Sequence, residues 1–313
     1  MRSLEPAKNI LLTGAGFTKT FGGFLAGEMW AAILNELRGV PYPSLRELMF
    51  DDKDLDYERV YDDVLRNRQL TPAEKDAFGR SMHGAYSRMN DLFTDPMRTA
   101  EFAAVFQAFV SWFCGVEERD LGFYFTLNQD LFVETFYTPR AGGSRLRLPG
   151  LSSPKWFKRE PLSLLEEGIA LPPSADEAAS ELWRKNPSRL VYIKLHGSLG
   201  WRSSDGSSVM VIGHSKSAQI QEEPLLRWYF ELFKEVLAGG DHNLLIIGYG
   251  FRDEHINEAI LKACRERGLR LFIISPKDPR AFLADEMGPA NELWRFVHGY
   301  YTGTVKDFYN PSM

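Results

Sequence analysis

Residues Asn9 to Lys19 read Asn-Ile-Leu-Leu-Thr-Gly-Ala-Gly-Phe-Thr-Lys. The apolar run Ile10, Leu11 and Leu12 stops abruptly at Gly14-Ala15-Gly16, which predicts a buried strand feeding a tight turn. Two glycines separated only by Ala15 leave backbone N–H groups uncovered, so a phosphate can approach the main chain. A helical spacing follows in Leu25, Met29, Ile33 and Leu37, whose N-terminal end adds positive partial charge. Alone, such a turn serves equally well as a strand-to-helix connection without a ligand.

Four further apolar runs end in the same manner. Leu121 to Leu127 runs into Asn128-Gln129-Asp130, and Leu190 to Leu195 ends at His196-Gly197-Ser198. Leu244 to Ile247 ends at Gly248-Tyr249-Gly250, and Leu271 to Ile274 at Ser275-Pro276. Helical segments separate the later runs: Pro224 to Leu237, stopped by Gly239-Gly240, and a helix capped by Asp253 that runs to Arg267 and closes at Gly268. Val209 to Ile212 suggests a small hairpin strand, and Arg295 to Thr304 a last strand at the sheet edge. Strands alternating with helices predict an α/β, Rossmann-like, mostly parallel sheet with helices on both faces. Ligands of such sheets bind beyond the carboxyl ends of the strands, so all five polar groups are expected to line one crevice.

Residues 24–119 carry helical patterning and read as a helical insertion, or lid, after the first strand. Thr71-Pro72-Ala73-Glu74 has the capping-box spacing, and Asp95-Pro96 opens a helix containing Phe102, Val105, Phe106, Phe109, Val110 and Phe113. The acid-rich stretch Asp51 to Asp63 is expected to form a solvated helix face. Residues 1–23 and 120–313 then form the nucleotide-binding core. Its segment 138–189 is rich in Gly, Pro and Ser and reads as loops, with short helices at 160–168 and 175–185. The basic cluster Arg140, Arg145, Arg147, Lys155, Lys158 and Arg159 reads as a solvated loop, with polyanion contact as the alternative.

The 313 residues are 44% hydrophobic and 25% charged, as in an ordinary soluble globular protein. A net charge of −5 argues against nucleic-acid binding by the whole surface. The most apolar stretch, Phe102 to Cys114, is interrupted by Gln107 and Ser111 and falls short of the roughly 20 residues a membrane span needs. The N-terminus, with Arg2, Glu5 and Lys8, shows no apolar signal core. Cys114 and Cys264 are the only cysteines, so a thiolate zinc site is not expected. The expectation is a soluble cytoplasmic protein.

In the crevice, Asn128 offers an amide, Asp130 an acceptor for ribose hydroxyls, and His196 a base. Gly-Ala-Gly-Phe-Thr-Lys lacks the third glycine of the hydride-transfer fingerprint, so a dehydrogenase fits poorly. Bland readings stay open: a turn for Asn128 and Asp130, a buried histidine for His196, and packing for Tyr249. His255 reads as structural, and His83, His214, His242 and His298 are given no role.

With these residues in view, the chain resembles the sirtuin family, in particular its bacterial branch of zinc-free, NAD-hydrolysing defence domains. The motifs are Gly14-Ala15-Gly16-Phe17-Thr18, Thr126-Leu127-Asn128-Gln129-Asp130, Lys194-Leu195-His196-Gly197-Ser198, and Ile247-Gly248-Tyr249-Gly250-Phe251 with Asp253. Two features of the deacylases are missing: the four cysteines of the zinc ribbon, and the Gly-Ile-Pro-Asp-Phe-Arg segment, replaced here by Thr20 to Glu28. The resemblance implies NAD as substrate, with no metal, and cleavage of its nicotinamide–ribose bond. Asn128, His196 and Asp130 would be the catalytic residues. Gly14, Ala15, Gly16, Phe17, Thr18, Thr126, Gly248, Tyr249, Gly250 and Ser275 would hold the dinucleotide. The expected role is the NAD-depleting effector of an anti-phage system. A homo-oligomer and a partner such as a HerA-type hexameric DNA-translocating ATPase are expected to control it. A zinc-free protein deacylase and a non-catalytic module sensing NAD or ADP-ribose are the alternatives.

Overall fold

A computed structural model describes residues 9–93, 95–113, 122–136, 167–168, 190–203 and 208–308. Six parallel strands form the central sheet: β1 (Asn9–Thr13), β2 (Gly122–Thr126), β4 (Leu190–Lys194), β7 (Asn243–Ile247), β8 (Arg270–Ser275) and β9 (Val297–Thr302). They lie in the order β4-β2-β1-β7-β8-β9. The chain builds outward from β1 in one direction, then returns to its other side with β7. The order therefore reverses between β1 and β7, and the two glycine turns, 14–16 and 248–250, meet at that switch.

The strands are in register at their carboxyl ends. Thr13 lies opposite Thr126 on one side and Ile247 on the other. Thr126 lies opposite Lys194, and Ile247 opposite Ile274. The five polar groups expected to share a crevice thus follow aligned positions on five neighbouring strands. The last strand adds in parallel at the edge, through Ser275 opposite Thr302.

Side chains alternate between the two faces, as the two-residue period of a strand requires. Leu11, Tyr124, Tyr192 and Ile274 point into one apolar layer. Ile10, Leu12, Phe123, Phe125, Val191, Ile193, Ile246 and Ile273 point into the other. The second layer is closed by the helices Pro224–Leu237 and Glu254–Arg267. Gly268, with φ of +73°, ends the latter.

The first layer is closed by the helices between β1 and β2: Ala26–Glu36, Pro43–Asp51, Tyr57–Arg66, Pro72–Phe93 and Pro96–Phe113. Thr71 and Glu74 form the expected capping box, with the Thr71 N–H donated to Glu74 Oε2 at 2.8 Å. Phe102, Val105, Phe106, Phe109, Val110 and Phe113 are all buried, so these helices share one continuous core with the sheet. Among the described residues, no helix is long and apolar enough to cross a membrane.

A small second sheet contains β3 (Glu167–Gly168), β5 (Gly197–Arg202) and β6 (Ser208–Met210), with β5 and β6 antiparallel as the hairpin reading expects. Glu167 and Gly168 correct the helix expected over 160–168 at its end, because there the backbone pairs with Trp201 and Arg202. The helix expected at 175–185, the basic cluster and Cys114 lie outside the described residues.

The acid-rich stretch meets expectation only in part: Asp51, Asp54 and Asp63 are exposed. Asp52 and Asp62 are buried, and the Asp62 carboxylate accepts the His214 N–H at 2.7 Å. Glu58 reaches Lys216 at 2.8 Å. Asp62 and Glu58 dock the helix Tyr57–Arg66 onto the loop after β6 and onto Lys216, a long-range pairing that no local period encodes, whereas Asp52 accepts locally from Arg59 and the Asp56 N–H.

Candidate active site

The first glycine turn is built against the second. Gly14 N–H donates to Ile247 O at 3.1 Å, and Gly16 N–H to Gly248 O at 2.9 Å. A Cβ on Gly248 would sit 2.1 Å from Phe17 N, and the backbone there has φ of +66°. These two N–H groups are therefore not uncovered, which corrects the physical reason for the Gly-Ala-Gly spacing. The glycines let two strand ends touch backbone to backbone. Phe17 fixes the same turn from below: its ring is fully buried and meets Phe21, Phe106, Phe109, Tyr124 and Phe132.

Asn128 joins the loop after β2 to that turn. Its Nδ2 donates to Gly14 O at 3.1 Å and to Thr18 Oγ1 at 3.3 Å. Thr18 in turn donates to Ala15 O at 3.3 Å. Thr126 is buried and works from underneath, its Oγ1 accepting from Asn128 N at 3.1 Å and from Thr13 Oγ1 at 2.9 Å. Gln129 is clamped from both sides. Tyr86 Oη donates to its Oε1, and its Nε2 donates to Val211 O, both at 2.6 Å. The helix Pro72–Phe93 thus braces the loop that presents Asn128.

Asp130 is buried and accepts the Phe132 N–H at 3.0 Å. Burial pushes its carboxyl up to about 6, against the pull of the Lys194 ammonium and the Phe132 N–H. Lys194 is itself fully buried. It bonds Glu134 Oε1 at 2.8 Å and the carbonyl of Asp130, fixing the loop between β2 and the helix Phe132–Phe136.

His196 follows β4 as Asn128 follows β2, each two residues past the paired Thr126 and Lys194. Gly197 has φ of +70°, and a Cβ there would lie 2.0 Å from Val209 O, so the chain can turn into β5 only with glycine. The His196 carbonyl accepts Val211 N–H at 2.9 Å. Its ring is 2% exposed, and burial pushes it down to about 3, so the imidazole is neutral at physiological pH. Its Nε2 lies 3.2 Å from Nε2 of His255.

His255, read from sequence as structural, is brought to the site from the first turn of the helix after β7. Asp253 occupies the N-cap position, but its side chain makes no capping bond. This corrects the expectation of a carboxylate cap, because Oδ1 instead accepts from Lys216 Nζ at 2.7 Å. Burial raises the Asp253 carboxyl, but the basic groups beside it, His196, Lys216 with its hydrogen bond, and His255, bring it below the usual carboxylate range. Tyr249 and Asn257 shape this loop. The Tyr249 hydroxyl bonds Asn257 Oδ1 at 2.9 Å, and Asn257 Nδ2 donates to Phe251 O at 2.7 Å. Phe251, with φ of +54°, holds a left-handed backbone that these bonds stabilise. Spacing along the chain shows Asp253 and His255 as the start of a helix, and nothing local reveals their partners. Lys216 and Glu58 carry no sequence signal either.

Ser275 ends β8 farther along the row, its Oγ accepting Lys277 N–H at 3.2 Å. Gly250 lies close to Glu286, at 2.8 Å from where its Cβ would stand. Two groups of expected residues are thereby assembled: Asn128, Thr18, Gly14 and Asp130 around the first turn, and His196 on the neighbouring strand end. Tyr249, Gly250 and Ser275 extend the row past the switch point. Among the described residues, no group of three or more His, Cys, Asp or Glu is placed to hold a metal ion. A family model described as SIR2-like domain matches residues 122–295, a span that holds every strand-end group except the first glycine turn. A comparison with curated proteins finds no match.

Proposed function

The chain belongs to the SIR2-like domain family, whose members use NAD, and from that premise we propose that it is an NAD glycohydrolase releasing nicotinamide and ADP-ribose. The observation that carries the reading is the register of the strand ends. It sets Asn128 beside the first glycine turn, which lies at the switch in strand order, and His196 at the end of the strand adjacent to that of Asn128.

The nicotinamide nitrogen of NAD is already cationic, so it leaves with the C1′–N electron pair and needs no acid. The transition state resembles the oxocarbenium ion of glycoside hydrolysis. A water oxygen then bonds C1′ and gives up one proton, which makes ADP-ribose. The imidazole of His196 is neutral, so its ring nitrogen is free to take that proton, although burial, which pushes it down to about 3, makes it a weaker base than an ordinary histidine. Asn128 orients the ribose and the water, and Asp130 holds the nicotinamide ribose or the loop beneath it. Gly14 to Thr18 with Gly248 to Gly250 hold the pyrophosphate, and since the N–H groups of Gly14, Gly16 and Phe17 are engaged by Ile247, Gly248 and Gly14, its donors come from the other groups of these two turns.

A free NAD hydrolase would poison its host, so the reading includes control by assembly. That means a homo-oligomer and a partner of the HerA-type ATPase class, in a defence against phage. Support for the partner is the resemblance alone. Purified chain incubated with NAD, with and without an acyl-lysine peptide, tests the activity. Nicotinamide and ADP-ribose in equal amounts without peptide support the hydrolase. Nicotinamide released only with the peptide indicates a deacylase, and NAD binding with no turnover indicates a sensor.

A further inference from the structure

We propose that His255 is a positioning residue for His196: the two Nε2 atoms share one proton, which fixes complementary tautomers and gives the proton collected by His196 a route out of the site. This rests on the reading of His196 as the base of the hydrolase.

Two imidazole nitrogens at 3.2 Å bond only if one of them carries hydrogen. Burial pushes both rings below their ordinary range, so both are neutral at pH 7 and one N–H lies between them. The contact joins parts of the chain 59 residues apart. It also spans the sheet, because β2 and β1 separate the strands that lead to the two rings. A pairing of this reach is a product of the fold and not of local sequence.

The charges around the pair come from three elements. Asp253 precedes the His255 helix, Lys216 opens the helix Lys216–Glu222, and Glu58 lies in the first turn of Tyr57–Arg66. The helix Pro224–Leu237 offers His255 an uncharged ring, Phe230, edge-on at 5.5 Å. Asp253, held below the carboxylate range, balances the Lys216 ammonium; Glu58, which burial raises, adds a negative charge where it ionises, and an imidazolium in the pair would balance it. Asp253 raises the proton affinity of both histidines, and Lys216 opposes it. An aspartate at an N-cap ordinarily binds the helix N–H groups, and this one is turned to Lys216 instead.

Exposure gives the route its direction. His196 is buried, whereas His255 is partly open to solvent. In turnover, the O–H bond of the attacking water breaks as its oxygen bonds C1′, and the proton joins the free ring nitrogen of His196. The Nε2 proton of His196 passes to Nε2 of His255, which becomes the imidazolium beside Asp253 and then loses a proton to water. One proton enters the pair and one leaves it, which exchanges the two tautomers; after product leaves, His255 takes a proton from water, returns its Nε2 proton to His196, and His196 releases its other ring proton to water, restoring the starting pair.

The test uses the full chain with ring-nitrogen-labelled histidine and the variants His255→Ala, His255→Gln and His255→Phe. Nitrogen NMR of the wild type should show one Nε2–H and one Nδ1–H neutral ring in mutual coupling, and the His196 signals should change tautomer balance in each variant. For nicotinamide release, kcat should fall about 10- to 100-fold with KM for NAD within about threefold, and free imidazole should restore His255→Ala but not His255→Phe. His255→Gln keeps a polar side chain at the site if the alanine variant does not fold. Wild-type kcat in His255→Phe, or an unchanged His196 tautomer in the folded variants, would overturn the proposal. Wild-type protein that shows the coupled tautomers but turns over no NAD would instead overturn the hydrolase reading.

Discussion

Asn128 carries its structural and its proposed catalytic role on one amide, since Nδ2 already bridges Gly14 and Thr18. His196 is the cleaner residue to test. A positioned base contributes about 10²–10⁴ in rate, so His196→Ala should lower kcat for nicotinamide release by that factor while NAD still binds in calorimetry. Wild-type turnover in that variant would remove His196 from the mechanism. Asp130 makes a pH prediction. Its carboxyl is pushed up to about 6, so it takes up a proton as pH falls through that value and stops accepting from its loop as an anion. Nicotinamide release should show an acid limb with a midpoint near that pH, and Asp130→Asn should remove the limb. At this scale the sequence shows Asn128, Asp130 and His196 because each follows directly on an apolar run. Asp253 and His255 are hidden, since their spacing is also that of an ordinary helix start, and the partners that single them out lie far away in the chain.

The strand-to-helix turns set the geometry at the scale of elements. Gly248→Ala combines a left-handed backbone with a Cβ 2.1 Å from Phe17 N. The cost should be on the order of 3 kcal/mol, read by urea unfolding. A variant as stable as the wild type would mean that the two turns do not touch as described. The end of each strand is legible in sequence because an apolar run broken by Gly, Asn or His has few other readings. The reason for the glycines is less legible. Spacing cannot distinguish a turn opened for phosphate from one opened for another strand, and here Gly14 and Gly16 spend their N–H groups on β7. Within the acidic run 51–63, Asp51, Asp54 and Asp63 are solvated as read, but Glu58 and Asp62 mislead in the same way, because each reads as solvated until Lys216 and the His214 backbone are folded against it.

For the whole molecule, the parallel direction of the six strands follows from the alternation of strands and helices, whereas their order β4-β2-β1-β7-β8-β9, whose single reversal fixes where a ligand can sit, emerges only in the fold. The sequence marks residues 24–119 as helical, but only packing shows these helices completing one face of the sheet. Burial of His196 also gives stability a pH dependence. Its folded value is pushed down to about 3 from an ordinary 6.5. Between those values the unfolded chain binds the proton that the folded chain refuses. The contribution is therefore complete above about pH 6.5 and is lost progressively as pH falls toward 3. Urea unfolding at pH 7 and pH 5 should show a smaller difference in His196→Gln than in the wild type, and an equal difference would place His196 in water.

The claim beneath all of this is that separate strand ends converge on one dinucleotide. A crystal structure of the His196→Ala variant with NAD bound tests it most directly. The account predicts the nicotinamide ribose within hydrogen-bonding distance of Asn128 and beside position 196, with the pyrophosphate over the meeting of the 14–18 and 248–250 turns. NAD bound anywhere else on the chain, or with its ribose remote from Asn128, would contradict it.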